Sequence, residues 1–143
     1  MPTLQRIENP QMMEVYVNGP RDANRLYIFA GTAVFNWHGT DDDNWVREPL
    51  HISMLGIRGV PRIFEDQVVD HVETASLAAI YSRETARRDA VGFAADSVEA
   101  FFTRDPRHEL DWADFGIDVQ LALRGNDVRF YRVSFQLNIL ARI

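Results

Sequence analysis

The sequence predicts an all-β protein, an antiparallel β-sandwich or jelly roll of about six to eight strands, and three observations carry that expectation. First, Ile117, Val119, Leu121 and Leu123 alternate with Asp118, Gln120, Ala122 and Arg124. A second alternating run follows through Tyr131, Val133, Phe135, Leu137 and Ile139. A strand shows successive side chains to opposite faces, so a period of two means that one face of each run is buried. Second, nearly every residue from Leu26 to Trp37 is apolar, as in a strand covered on both faces. Third, turn-forming groups such as Gly19-Pro20, Gly59-Val60-Pro61 and Arg124-Gly125-Asn126-Asp127 separate the apolar runs.

Taken in order, residues 1–10 hold Pro2 and Pro10 and no clear period, and are expected as an extended N-terminal arm, ordered only where something holds it. Residues 11–143 are expected as one sandwich domain. Met13, Val15 and Val17 alternate with Glu14, Tyr16 and Asn18 and predict a first strand. The Leu26 to Trp37 run predicts a central strand, bulged or bent at Gly31. After the polar stretch from Gly39 to Asn44, a third strand is expected from Leu50 to Ile57.

Two periods overlap between Val68 and Arg88. Val68, Val72, Ala75 and Ala79 fall at helical spacing, with Glu65, Asp66 and Asp70 early and Arg83, Arg87 and Arg88 late, as the helix dipole favours. Val72, Thr74, Ser76, Ala78 and Ile80 also alternate with Glu73, Ala75, Leu77, Ala79 and Tyr81. Strands are preferred, with a hairpin partner at Val91 to Ala95; the alternative is an α+β fold with one helix near residues 65–88. Ser97 to Arg104 is expected to end that strand or form a helical turn, and Asp105 to Asp114 to be a long acidic loop or a one-turn helix. The last two runs are expected to form a hairpin, with a β-bulge near Phe130 and Tyr131 where the apolar phase shifts.

Composition narrows the chemistry. At 143 residues, 46% hydrophobic and 25% charged, the chain can bury a core without staples. Its net charge of −6 opposes a polyanion, so no nucleic-acid partner is expected. All 15 basic residues are Arg, which leaves no amine for Schiff-base chemistry. There is no Cys, hence no disulfide, thiol nucleophile or thiolate ligand. No window has the length of a membrane span, and the first residues lack an apolar export core. The expected location is therefore cytoplasmic as synthesised, or within a particle, without a signal peptide.

Candidate sites are sparse. Trp37, Trp45 and Trp112 stand beside acidic stretches containing Asp41, Asp43, Asp111 and Asp114. Loops of a sandwich gather at its ends, so these residues could share a surface on which an aromatic ring stacks on a sugar and carboxylates accept its hydroxyls. The same carboxylates, Asp41, Asp43, Asp111 and Asp114, with Asn44, would suit calcium, which takes six to eight oxygens; the spacing lacks the pattern of a dedicated calcium loop. Equally, Trp37 and Trp45 could plug the core while the acids stay in water. His38, His51, His71 and His108 lack close metal-ligand spacing. His71 and Glu73 would share one face of a strand and form an acid/base pair. No serine lies in a nucleophile elbow, and no glycine-rich phosphate loop is present.

On the second face of the last strand, Arg132, Ser134, Gln136 and Asn138 form a row of mostly uncharged polar groups, with Asp118 and Gln120 expected beside them. Strands left in water usually carry more charge. The functional expectation is a non-enzymatic structural or binding subunit of a symmetric homo-oligomer, such as a virion, tail or particle component, without a cofactor. The alternative is a carbohydrate-binding module using Trp37, Trp45, Trp112, Asp41 and Asp43. A small enzyme using His71 and Glu73 is a third possibility.

Overall fold

A computed structural model gives the fold, and the structure describes residues 3–17, 24–37, 44–82, 92–124 and 128–143. Seven strands are described: β1 (Thr3–Tyr16), β2 (Asn24–Asn36), β3 (Val46–Ser53), β4 (Val68–Ser82), β5 (Gly92–Phe102), β6 (Phe115–Arg124) and β7 (Val128–Arg142). They form a four-stranded sheet of order β1-β2-β7-β4 and a three-stranded sheet of order β3-β6-β5, antiparallel throughout. This is the all-β sandwich that the alternation predicts. The α+β alternative does not hold: residues 68–82 are strand, and among the described residues of 65–88 the only helical turn is the 3₁₀ turn Glu65–Gln67. Pairing with β7 decides the ambiguity, because it hydrogen-bonds the segment along its length while Val72 faces outward and Ala75 packs on the core.

The core lies between the sheets. From β7 it takes Tyr131, Val133, Phe135, Leu137 and Ile139, and from β6 Phe115, Ile117, Val119, Leu121 and Leu123. Phe29, Phe35, Leu50 and Ile52 complete its centre. Phe35 and Tyr131 stack at 5.0 Å, and burial pushes the Tyr131 phenol far above its ordinary pKa.

The rhythm of the last two runs is as expected, but their pairing is not. β6 and β7 do not form a hairpin; β6 is the central strand of the three-stranded sheet, and β7 lies inside the four-stranded sheet between β2 and β4. β6 and β7 lie in different sheets, so the two apolar rows meet face to face and each covers the other. A flat hairpin would set both rows side by side, still needing a cover. β4 and β5 likewise belong to different sheets, so the second expected hairpin is also absent.

The structure settles or alters four local expectations. Residues 3–10 are held by the chain's own β2, from Thr3 opposite Asn36 to Glu8 opposite Thr32. The irregularity near Gly31 lies in β1, where Asn9 and Pro10 oppose a single residue and Asn9 has φ 50°. β2 keeps unbroken register with β7 through Gly31, whose missing Cβ admits Ile7 and Phe135; an added Cβ would lie 3.0 and 3.1 Å from them. The third strand starts earlier than expected, at Val46, and ends where Ser53 caps the 3₁₀ turn Met54–Gly56. Residues 97–102 continue β5 rather than forming a helical turn. A register shift does occur near the start of β7, between Val128 and Phe130.

Candidate interaction surface

Register defines what the outer face of the four-stranded sheet presents. Across β1, β2, β7 and β4 the rows read Val15, Leu26, Leu140 and Asp70; then Met13, Ile28, Asn138 and Val72; then Gln11, Ala30, Gln136 and Thr74. Glu8, Thr32, Ser134 and Ser76 follow, and Arg6, Val34 and Arg132 end the face. The first three rows hold one charge, Asp70, at the margin. Met13 is 58% exposed, Val72 59% and Val15 40%, while Leu26, Ile28 and Leu140 are half-buried. Large apolar side chains thus continue across all four strands, a pattern that marks contact surfaces on folded proteins.

Apart from Asp70 and Arg142 at the near end, charge on this face sits at the far end, where Arg6 and Arg132 share the Glu8 carboxylate. Arg132 donates to both oxygens of Glu8 at 3.1 Å, and Arg6 donates to Oε1 at 2.7 and 3.0 Å. The Arg132 guanidinium, followed by that of Arg6, holds the Glu8 carboxyl below its ordinary pKa. Gln136 donates to Asn138 at 3.0 Å, so neighbouring amides on this face partly satisfy one another. The row of Arg132, Ser134, Gln136 and Asn138 therefore lies beside β2 and β4. Asp118 and Gln120 are on the other sheet.

The outer face of the three-stranded sheet is different. His51 Nδ1 lies 2.6 Å from Asp118 Oδ1, and its ring stacks on Phe101 at 4.2 Å. Ser53 donates to Asp114, whose other oxygen is 4.0 Å from His51 Nε2. Arg47 pairs with Asp96 at 3.5 Å. Gly116 stands between Ser53 and Phe101, and a Cβ there would lie 2.0 Å from the Ile52 carbonyl oxygen. Only glycine lets β3 and β5 both approach β6 at this point.

At the seam between β4 and β5 the expected His71 and Glu73 pair forms, with Nδ1 2.7 Å from Oε2. The other Glu73 oxygen accepts the Ala100 N–H at 3.1 Å, so this carboxylate also joins the two sheets. His71, Val68, Val69, Phe101 and Phe102 help line a cavity of about 600 Å³. Beyond it, His108 holds Asp66 at 2.7 Å and stacks on Phe64 at 4.6 Å. Each described histidine thus meets a carboxylate and a phenylalanine, although none lies near another in sequence.

The sugar and calcium sets do not assemble. Trp37 is buried and meets Tyr131 at 6.2 Å, serving the core. Trp45 is 50% exposed beside Arg124, whose guanidinium lies 5.2 Å from its ring centre, at the end of β6. Trp112 is 54% exposed and precedes the start of β6. Ten residues of strand separate those ends, roughly 30 Å at the usual rise. Asn44 and the pair Asp111 and Asp114 are divided in the same way, and Asp41 and Asp43 lie outside the described residues, as do His38 and the Arg83, Arg87 and Arg88 cluster. Asp114 is committed to Ser53, and its backbone pairs with the Thr103 hydroxyl. Among the described residues no group of three or more His, Asp or Glu is placed to hold a metal ion.

No helix among the described residues is long and apolar enough to cross a membrane. Compared with known proteins, the chain matches no family model, no curated sequence and no solved structure. Sequence reasoning found the polar row on β7 but missed the apolar surface around it, because that surface is assembled from β1, β2 and β4. The signal was present in Met13, Ile28 and Val72, each apolar in the outward phase of its strand.

Proposed function

We propose that the protein is a non-enzymatic subunit of a homo-oligomeric assembly, of the kind that builds a virion, tail or other particle, and that the outer face of its four-stranded sheet is its working surface. The single observation that carries this reading is the apolar, nearly uncharged band from Val15 and Met13 on β1 to Val72 on β4. Water contact with so much apolar surface is unfavourable by about 25 cal/mol per Å², and covering it without burying charge recovers that energy. The glycan reading has less support, since Trp45 and Trp112 offer no common platform.

Light scattering across a concentration series tests the reading. A mass of two or more chains is expected at micromolar concentration, and a single-chain mass up to the solubility limit overturns it.

A further inference from the structure

We infer that a second copy of this chain packs on the outer face of the four-stranded sheet, about a two-fold axis that runs along the strands between β2 and β7. The inference rests on the assembly reading above and specifies its contact. Such an axis lays β1 of one protomer over β4 of its partner and β2 over β7, while every row stays opposite itself. Met13 then meets Val72, Leu26 meets Leu140, and Ala30 meets Gln136. No like charges meet within the first four rows: Asp70 lies over Val15, and Glu8 lies over Ser76.

Turning the axis across the strands reverses the rows and sets Val15 and Leu140 against the Arg6 and Arg132 end, bringing guanidinium onto the apolar rows. The axis along the strands sets Arg132 against Val34 only in the last row, outside the uncharged band. Heterologous contact with the other outer face would place the band on His51, Asp118 and Glu99. A chain of net charge −6 also repels its copies except where its surface is neutral, and these rows are the neutral region. The four rows that meet without like charges span four strands, roughly 19 by 27 Å or on the order of 500 Å². Two such faces together bury about 1,000 Å², the lower bound for a specific interface and below the ~800 Å² per partner of a standard one.

Absence of cysteine makes the test clean. Within one chain Met13 and Val72 lie three strand spacings apart, about 14 Å, beyond the ~7 Å limit for a disulfide. Equimolar M13C and V72C single variants, mixed and mildly oxidised, are expected to give covalent dimers. Either variant alone is expected to stay uncrosslinked, and V72D to weaken association about tenfold or more with an unchanged circular dichroism spectrum. Self-crosslinking of one variant as readily as the mixture overturns the axis, as does a mixture that stays uncrosslinked while the unmodified protein scatters as an oligomer. In that last case the assembly reading survives, whereas a strictly monomeric unmodified protein removes both.

Discussion

The two sheets bury similar faces and expose opposite ones. β6 and β7 are each interior to their sheets, each apolar at every second residue, and each covered by the other across the core. Outside, the β7 sheet carries Met13, Ile28, Ala30 and Val72 with amides between them, while the β6 sheet carries Arg47, Asp96, His51, Asp118 and Glu99. The inner alternation makes the sandwich and is indifferent to the outer residues. What occupies the outward phase then separates a face that stays wet, because its charges resist desolvation, from one that gains by being covered.

The largest expected effect contrasts the two close-approach glycines. Gly116→Ala drives a Cβ against the Ile52 carbonyl at 2.0 Å, and backbone cannot move aside without parting β3 from β6. A loss of about 3 kcal/mol or more is expected. Gly31→Ala meets the side-chain atoms of Ile7 and Phe135 at 3.0 and 3.1 Å, which can yield, so about 1–2 kcal/mol is expected. Urea unfolding of the two variants measures the order; a Gly116 variant as stable as the Gly31 variant would contradict the account of β6 as the tighter junction.

Placing one carboxylate on each outer face probes the contrast directly. Thr74→Asp and Ser97→Asp both alter exposed strand residues, and each should change monomer stability by less than about 0.5 kcal/mol. Only the first interrupts the uncharged band, so sedimentation should show self-association weakened roughly tenfold for Thr74→Asp and unchanged for Ser97→Asp. Equal weakening by both would move the contact away from the four-stranded sheet.

How much of this was legible in the sequence depends on distance along the chain. Period two identified β6 and β7, because alternation is a property of a few adjacent residues. It could not say whether the two strands pair or oppose each other, since a hairpin and a sheet-crossing connection bury the same residues. Gly31 was legible as special but not as the gap for Ile7, which reaches it through an irregular edge strand. The three tryptophans shared acidic neighbours in sequence, yet Trp45 and Trp112 sit at opposite ends of one strand. His71 and Glu73 were visible because i and i+2 share a strand face; His51 with Asp118 was not, being 67 residues apart.

A smaller effect is expected at that last pair. His51 and Asp118 are both more than half exposed, so the contact is well solvated despite its 2.6 Å length. Asp118→Asn should cost less than about 1 kcal/mol. It should leave association unchanged, because the pair lies on the wet face. A marked loss of oligomer would show that this face takes part after all.

The smallest effect concerns acid, and it separates the faces by titration. Glu8 on the four-stranded sheet has its carboxyl lowered from an ordinary 4.5 by Arg132 and then Arg6. Asp105, in the loop leading to β6, is lowered from 3.8, chiefly by the Leu110 N–H. A carboxyl whose folded pKa is depressed stabilises the fold fully above its unfolded value and ceases to do so as pH falls through the folded value. Both contributions are therefore present at neutral pH and fade below about pH 4.5. Glu8→Gln should abolish only the part that belongs to the four-stranded sheet. Thermal melts from pH 6 to 2 should then show a shallower acid decline for the variant than for the unmodified protein, with the Asp105 contribution retained. Parallel declines in both proteins would mean that the two arginines do not hold Glu8 in solution, and would remove that ion-pair cluster from the margin of the proposed interface.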